Sequence, residues 1–148
     1  KSRAMAGLRI GFAIGNKKMI RYLTDVKFSF NSYTMNLPSI VMAEAAAKDA
    51  EYFHSLTARI IKTREQFKKD LTALGFVYPD SKTNFVFARH PKVPAGELFK
   101  DLRAQGIVVR YFDKPRISEY LRITVGTDEQ MAAVIAALRK ILAEKGVL

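Results

Sequence analysis

From Pro38 to Leu74 the apolar residues keep helical spacing over 37 positions, and at Gly75 that pattern stops. Beyond the glycine come short apolar runs separated by turn residues. One kind of secondary structure cannot satisfy both periodicities, so the switch implies a helical part joined to a mixed part with strands. Proline suits the first turn of a helix and glycine the position just past its end. A single helix of that length is unusual in a globular fold, so a break is expected near Lys48 and Asp49. The piece after the break is expected to bury Phe53, Leu56, Ile60, Phe67, Leu71 and Leu74. It would show Arg59, Lys62, Arg64, Lys68 and Lys69 to water.

Ahead of this stretch, Leu8, Ile10, Phe12 and Ile14 alternate with Arg9, Gly11 and Ala13, and Gly15-Asn16 follows, which reads as a strand over 8–14 ended by a turn. Residues 17–26 place Met19, Ile20, Leu23 and Val26 at helical spacing, and the aromatic, polar stretch 28–36 reads as a loop. After Gly75, residues 76–78 and 83–89 read as strands, 95–105 as a helix closed by Gly106, and 107–111 and 120–125 as strands. Thr127 with Gln130 has the spacing of a capping box opening a last helix over 128–143. The order ββαββα gives an α/β or α+β sandwich with helices covering one sheet.

Composition narrows the chemistry. The 148 residues include no cysteine, which excludes a disulfide scaffold, a thiol nucleophile and Cys-based metal sites. Two histidines, His54 and His90, without ligand spacing, argue against a zinc enzyme, and no metal site is expected. No apolar run approaches the roughly 20 residues that span a bilayer, so the expectation is a cytoplasmic protein with no membrane partner. The net charge is +11, and +6 of it lies in residues 1–27, where Asp25 is the one acid. That balance favours anionic partners, among them phosphorylated or carboxylated small molecules and nucleic acid. There is no GxGxxG after a strand, no P-loop and no GxSxG elbow.

Five features remain as candidates. Lys1 stands just ahead of the expected strand, where desolvation would lower its pKa as a Schiff-base lysine requires; a frayed terminus is the plainer reading. Arg9 on the small-residue face of that strand could grip a phosphate, or form an ordinary ion pair. Arg110 in Gly-Ile-Val-Val-Arg and Arg122 in Leu-Arg-Ile-Thr-Val-Gly-Thr sit in apolar strands. Arginine cannot shed its charge, so two such residues in neighbouring strands point either to an anion site or to solvent-facing edge positions. Asn84 reads as a ligand-facing amide or a strand-start residue bonded to backbone. Phe28, Phe30 and Tyr33 read as a stacking loop or, better, as core packing.

The segments KSRAMAGLRIGFAIG, TNFVFAR, GIVVR and LRITVGT, in this order and spacing, resemble the C-terminal part of the histidinol-phosphate aminotransferases. These belong to the fold-type I aminotransferases that use pyridoxal 5′-phosphate (PLP). The lysine followed eight positions later by arginine is shared by several such enzymes; LRITVGT after GIVVR is more particular to this branch. The resemblance implies an α/β fold made of the C-terminal portion of a fold-type I PLP-dependent transferase. Residues 1–49 would be the tail of the large cofactor-binding domain, 50–75 a long linking helix, and 76–148 the small domain.

By the same resemblance Lys1 matches the lysine that forms the Schiff base with PLP and shuttles the proton. Arg9 matches the arginine on the cofactor phosphate. Arg110 and Arg122 match the pair that holds the anionic ends of the substrates, histidinol phosphate and 2-oxoglutarate or glutamate. Asn84 matches a position without an assigned role. The implied partners are small-molecule amino and keto-acid substrates and a second copy in a homodimer, with no nucleic acid. The chain is then expected to be a fragment beginning at the catalytic lysine, and to be inactive alone, since the family's aspartate, ring-stacking aromatic, tyrosine and Gly-rich loop lie upstream. The same motifs would also suit an aromatic or broad-specificity aminotransferase or a threonine-phosphate decarboxylase. A basic anion- or nucleic-acid-binding module is the reading from another class.

Overall fold

Helices fill most of the chain from Lys17 to Ala73, and strands and helices alternate after it; the computed structural model describes residues 3–148. After a 3₁₀ turn at Ala6–Leu8 come α1 (Lys17–Phe30), α2 (Leu37–Lys48) and α3 (Ala50–Ala73). Then follow β1 (Phe85–Ala88), α4 (Ala95–Ala104), β2 (Arg110–Tyr111), β3 (Leu121–Thr124) and α5 (Asp128–Glu144). They group into two compact units, Lys1–Ser55 and Leu56–Leu148.

In the first unit, polar caps set the helix limits. The Asn16 side chain accepts the Lys18 N–H to open α1, and Asn36 accepts the Ser39 N–H at 2.9 Å to open α2, which carries proline in its first turn. The expected break falls at Asp49, whose N–H closes α2 on the Ala45 carbonyl at 3.1 Å. Its carboxylate then accepts the Tyr52 N–H at 3.2 Å and starts α3.

Two expectations for this unit are overturned. Residues 8–14 form no strand. Arg9 stands at φ 56°, left-handed geometry that interrupts an extended run, and no strand among the described residues pairs with the segment. Phe12 and Ile14 are exposed. The segment 28–36 is not wholly a loop either. Helix α1 continues through Phe30, with the Ser29 hydroxyl bonded back to the Val26 carbonyl at 2.9 Å, and ends at extended Asn31. No residue of α1 is buried, and Phe28, Phe30 and Tyr33 are exposed instead of packed in a core.

The second unit contains the hydrophobic core. Its sheet is antiparallel in the order β1-β3-β2, with Phe85 opposite Thr124, Val86 opposite Ile123, Phe87 opposite Arg122 and Ala88 opposite Leu121. Alternation along the strands buries Val86, Ala88, Leu121 and Ile123 on one face. They share the core with Phe67 and Leu71 of α3, Leu98 and Leu102 of α4, and Leu138, Ile141 and Leu142 of α5. The capping box forms as expected, Thr127 Oγ1 accepting the Gln130 N–H and Gln130 Oε1 accepting the Thr127 N–H. Gly75 ends α3 at φ 79°, where Phe76 N–H bonds the Leu71 carbonyl at 3.0 Å.

The strands are shorter than expected. Residues 76–78 contribute one bridge, Val77 to Arg89. Of 107–111 only Arg110 and Tyr111 join the ladder, because the Ile107 N–H is taken by the Leu102 carbonyl at the end of α4. Two residues of α3 expected in water are not there. Arg64 is buried: its Nη1 donates to the Thr83 carbonyl at 3.0 Å and its Nη2 lies 2.9 Å from Glu65. Lys68 is largely covered between Glu65 (2.9 Å) and Asp80 (2.6 Å). These hydrogen bonds raise the Lys68 pKa, and Lys68 in turn holds Asp80 down to about 2. The turn over 79–84 folds back on α3 and supplies Thr83 to Arg64 and Asp80 to Lys68. Phe53, Leu56 and Ile60 are half-buried, whereas Phe67, Leu71 and Leu74 are fully so.

Candidate functional site

The sheet face opposite the core carries the arginines. Because side chains alternate, Leu121 and Ile123 point to the core and Arg122 points away from it, half-buried. Its neighbours across the sheet are Phe87 on β1 and Arg110 on β2. Arg110 and Arg122 thus face each other directly, on neighbouring strands as expected from the sequence. Like charges at opposed positions of an antiparallel pair repel.

Aromatic rings occupy the places where counter-ions would be expected. The Arg122 guanidinium carbon lies 5.5 Å from the centre of the Phe85 ring and 5.6 Å from that of Phe112. The Arg110 guanidinium lies 5.2 Å from the same Phe112 ring. Phe87 stacks on Tyr120 at 4.6 Å with planes 9° apart, and Arg89 lies 5.9 Å from the Tyr120 ring and 3.6 Å from Glu119. Among the described residues no carboxylate pairs with Arg110 or Arg122. A ring attracts a guanidinium through its negative face but does not neutralise it. Two full charges and their N–H donors therefore stay available to an oxyanion such as a phosphate or carboxylate.

In the first unit Arg9 follows the 3₁₀ turn, exposed, with Nη1 making one long contact of 3.5 Å to the Ala6 carbonyl. It has no carboxylate partner among the described residues, so it too is an open cation. The turn is pinned from α2: the hydroxyl of buried Ser39 donates to the Leu8 carbonyl at 3.1 Å. Lys1 lies outside the described residues.

Asn84 stands directly before β1 with an exposed side chain, and its main-chain carbonyl accepts the Val125 N–H at 2.9 Å. His90 is buried; desolvation pushes its pKa below the ordinary histidine value, aided by Lys92 and opposed by a hydrogen bond with the Leu74 backbone. Among the described residues no cluster of three acidic or histidine side chains is placed to hold a metal ion. No helix among them is long and apolar enough to cross a membrane.

Phe112, Phe85 and Ser39 were not singled out in the sequence. Phe112 was legible in principle: two residues after Arg110 in an extended segment, it is placed on the same side as that arginine. Ser39 had no signal, because only the fold brings α2 against Leu8.

Residues 1–138 match the family model for aminotransferase class I and II. The histidinol-phosphate aminotransferase of Aromatoleum aromaticum is 52% identical over 142 residues, which cover 96% of this chain and 40% of that protein. That of Lactococcus lactis subsp. cremoris is 49% identical over 145 residues, covering 98% and 41%. The chain thus spans about 40% of the length of these curated relatives. Two crystal structures share the fold. The histidinol-phosphate aminotransferase of Clostridium acetobutylicum has a TM-score of 0.85 at 24% identity, over 95% of this chain and 43% of that one. The Sinorhizobium meliloti enzyme, solved in complex with pyridoxal-5′-phosphate, has a TM-score of 0.82 at 24% identity, over 97% and 39%. With a model match over nearly its whole length and relatives at half identity, the chain belongs to the class I and II aminotransferase family.

Proposed function

We propose that this chain is part of a PLP-dependent aminotransferase that transfers the amino group between histidinol phosphate and 2-oxoglutarate or glutamate, in histidine biosynthesis. The observation that carries the substrate side is Arg110 directly opposite Arg122, with no carboxylate paired to either among the described residues. Such a pair suits a small molecule with an anionic end, and the named relatives act on one.

Arg9 fits a cofactor phosphate: it is an exposed cation without a carboxylate partner among the described residues, on a turn fixed from α2. Bound PLP would supply a carbonyl for the amino group and a ring that takes up the electron pair left at the substrate Cα. The residues of this chain do the rest of what is assigned to it. Lys1 would be the residue that holds the cofactor through Nζ before substrate arrives, and the freed Nζ would then be the base that takes the proton from the substrate Cα. Arg9 anchors the phosphate, and Arg110 and Arg122 fix the far end of the substrate so that its amine meets the reacting carbon. This chain spans about 40% of the length of its relatives, and we propose that it does not transaminate by itself. A homodimer in the cytoplasm follows from the same family reading.

The test is covalent. The longest native form of the protein is incubated with PLP, reduced with borohydride and digested, and the phosphopyridoxyl group is located by peptide mass spectrometry. Label on Lys1 supports the proposal. Label scattered over surface lysines, or none, removes the Schiff-base assignment and leaves the arginine pair as an anion-binding surface of another kind.

A further inference from the structure

We infer that Phe112 is a positioning residue for the substrate anion: its single ring orients both guanidiniums, those of Arg110 and Arg122, without neutralising either. The inference rests on the reading of the two arginines as the anion site and adds how that site is kept open.

Two guanidiniums at opposed strand positions repel, and left to themselves they would swing apart into water or recruit carboxylates. Neither outcome would serve an anion that needs both donors at once. Phe112 lies 5.2 Å from the Arg110 guanidinium and 5.6 Å from that of Arg122, within the reach of a cation–π contact in each case. It follows β2 by one residue and is half-buried, so it is partly fixed by its surroundings. Arg122 has a second ring, Phe85, at 5.5 Å, whereas for Arg110 the only ring contact among the described residues is Phe112. Arg110 therefore depends on Phe112 more than Arg122 does. A carboxylate in the same place would orient the arginines as well, but it would occupy their N–H donors and cancel charge that the substrate anion requires. An aromatic ring orients through its face and competes for neither.

The experiment uses the cofactor-loaded, longest native form of the protein with inorganic phosphate as the probe anion. Phe112→Leu should weaken phosphate inhibition and raise KM for the phosphate-bearing substrate, each by roughly three- to tenfold, with kcat changed less than twofold. Phe112→Tyr should restore both values, because the ring returns. Pentafluorophenylalanine at position 112 keeps the shape but inverts the polarity of the ring face, so it should behave like leucine and covers the case in which Phe112→Leu does not fold. Wild-type phosphate affinity in the fluorinated protein, or a tyrosine variant as weak as leucine, would overturn the inference. Arg110→Ala and Arg122→Ala run in parallel. If they lose phosphate binding while the Phe112 variants keep it, the positioning role falls and the anion site stands. If the arginine variants keep it, the anion site itself falls and the role of Phe112 with it.

Discussion

Arg110 and Arg122 are register partners across β2 and β3, so two permanent cations leave one face of the sheet side by side, with no carboxylate paired to either among the described residues. The arrangement is unfavourable for the fold and favourable for an anion, and the two effects can be separated by measurement.

Arg110→Gln should make the protein slightly more stable, by about 0.2–1 kcal/mol, because an opposed like charge disappears. The same change should weaken phosphate or carboxylate binding by the cofactor-loaded protein roughly tenfold, the worth of a charge-assisted hydrogen bond or two. Urea titration reads the first and inhibition by inorganic phosphate the second. A loss of stability together with unchanged anion affinity would show the arginine to be a packing residue.

Arg122→Ala should discriminate among substrates. KM for amines with an anionic end should rise by roughly one to two orders of magnitude, while that for neutral amines moves little. An equal loss for both would mean that Arg122 supports the sheet, where it lies beside Phe85 and Phe112, and does not anchor substrate.

For Arg9 the discriminating pair is PLP against pyridoxal, which lacks the phosphate. Arg9→Ala should weaken PLP binding at least tenfold and leave pyridoxal nearly unchanged. Ser39→Ala removes the hydroxyl that holds the Leu8 carbonyl at 3.1 Å, and should cause a smaller loss in the same direction. Fluorescence titration with each ligand decides it; if both ligands weaken in parallel in Arg9→Ala, the phosphate assignment fails.

The parts of this fold that could be read in advance are those fixed by local chemistry. Thr127 and Gln130 satisfy each other within one helical turn, Gly75 takes a positive φ no longer side chain prefers, and Asp49 caps the helix that follows it. Arg110 and Arg122 were legible as a pair for a similar reason: charged residues inside apolar runs stand out, and successive short strands tend to be neighbours. What could not be read depends on partners distant in sequence. The alternation in residues 8–14 states a need for neighbouring strands, but a ladder forms only where they are supplied. Arg64 looked like a water-facing charge because nothing near it in sequence announces that the Thr83 carbonyl will fold onto it.

That buried arginine makes a stability prediction independent of function. Arg64→Met keeps much of the aliphatic volume but leaves the Thr83 carbonyl without the donor at 3.0 Å, and should cost about 1–3 kcal/mol. Arg64→Lys should recover little, since an ammonium on a flexible stem cannot reproduce bonds to both Thr83 and Glu65. The midpoint of urea unfolding measures both. A midpoint equal to wild type in Arg64→Met would mean that water replaces the guanidinium without loss.

His90 makes the fold sensitive to mild acid. Its Nδ1 accepts the Lys92 N–H at 3.2 Å, a bond that needs the unprotonated ring, and the ring packs edge-on against Phe76 with centroids 5.1 Å apart. Desolvation, with a smaller push from Lys92, lowers its folded pKa below 6.5, while the unfolded chain titrates at the ordinary value. The unfolded state therefore binds more protons once the pH drops below about 6.5, and stability must fall as it does. The contribution is fully present above that value and is lost progressively as the pH approaches the folded pKa. His90→Gln retains an acceptor and a donor without a titrating group, so the difference in unfolding free energy between wild type and variant should change in the variant's favour between pH 7.5 and pH 5. Parallel pH profiles for the two proteins would show that His90 titrates alike in the folded and unfolded chains, and would dismiss its neutral form as a support for the end of α3.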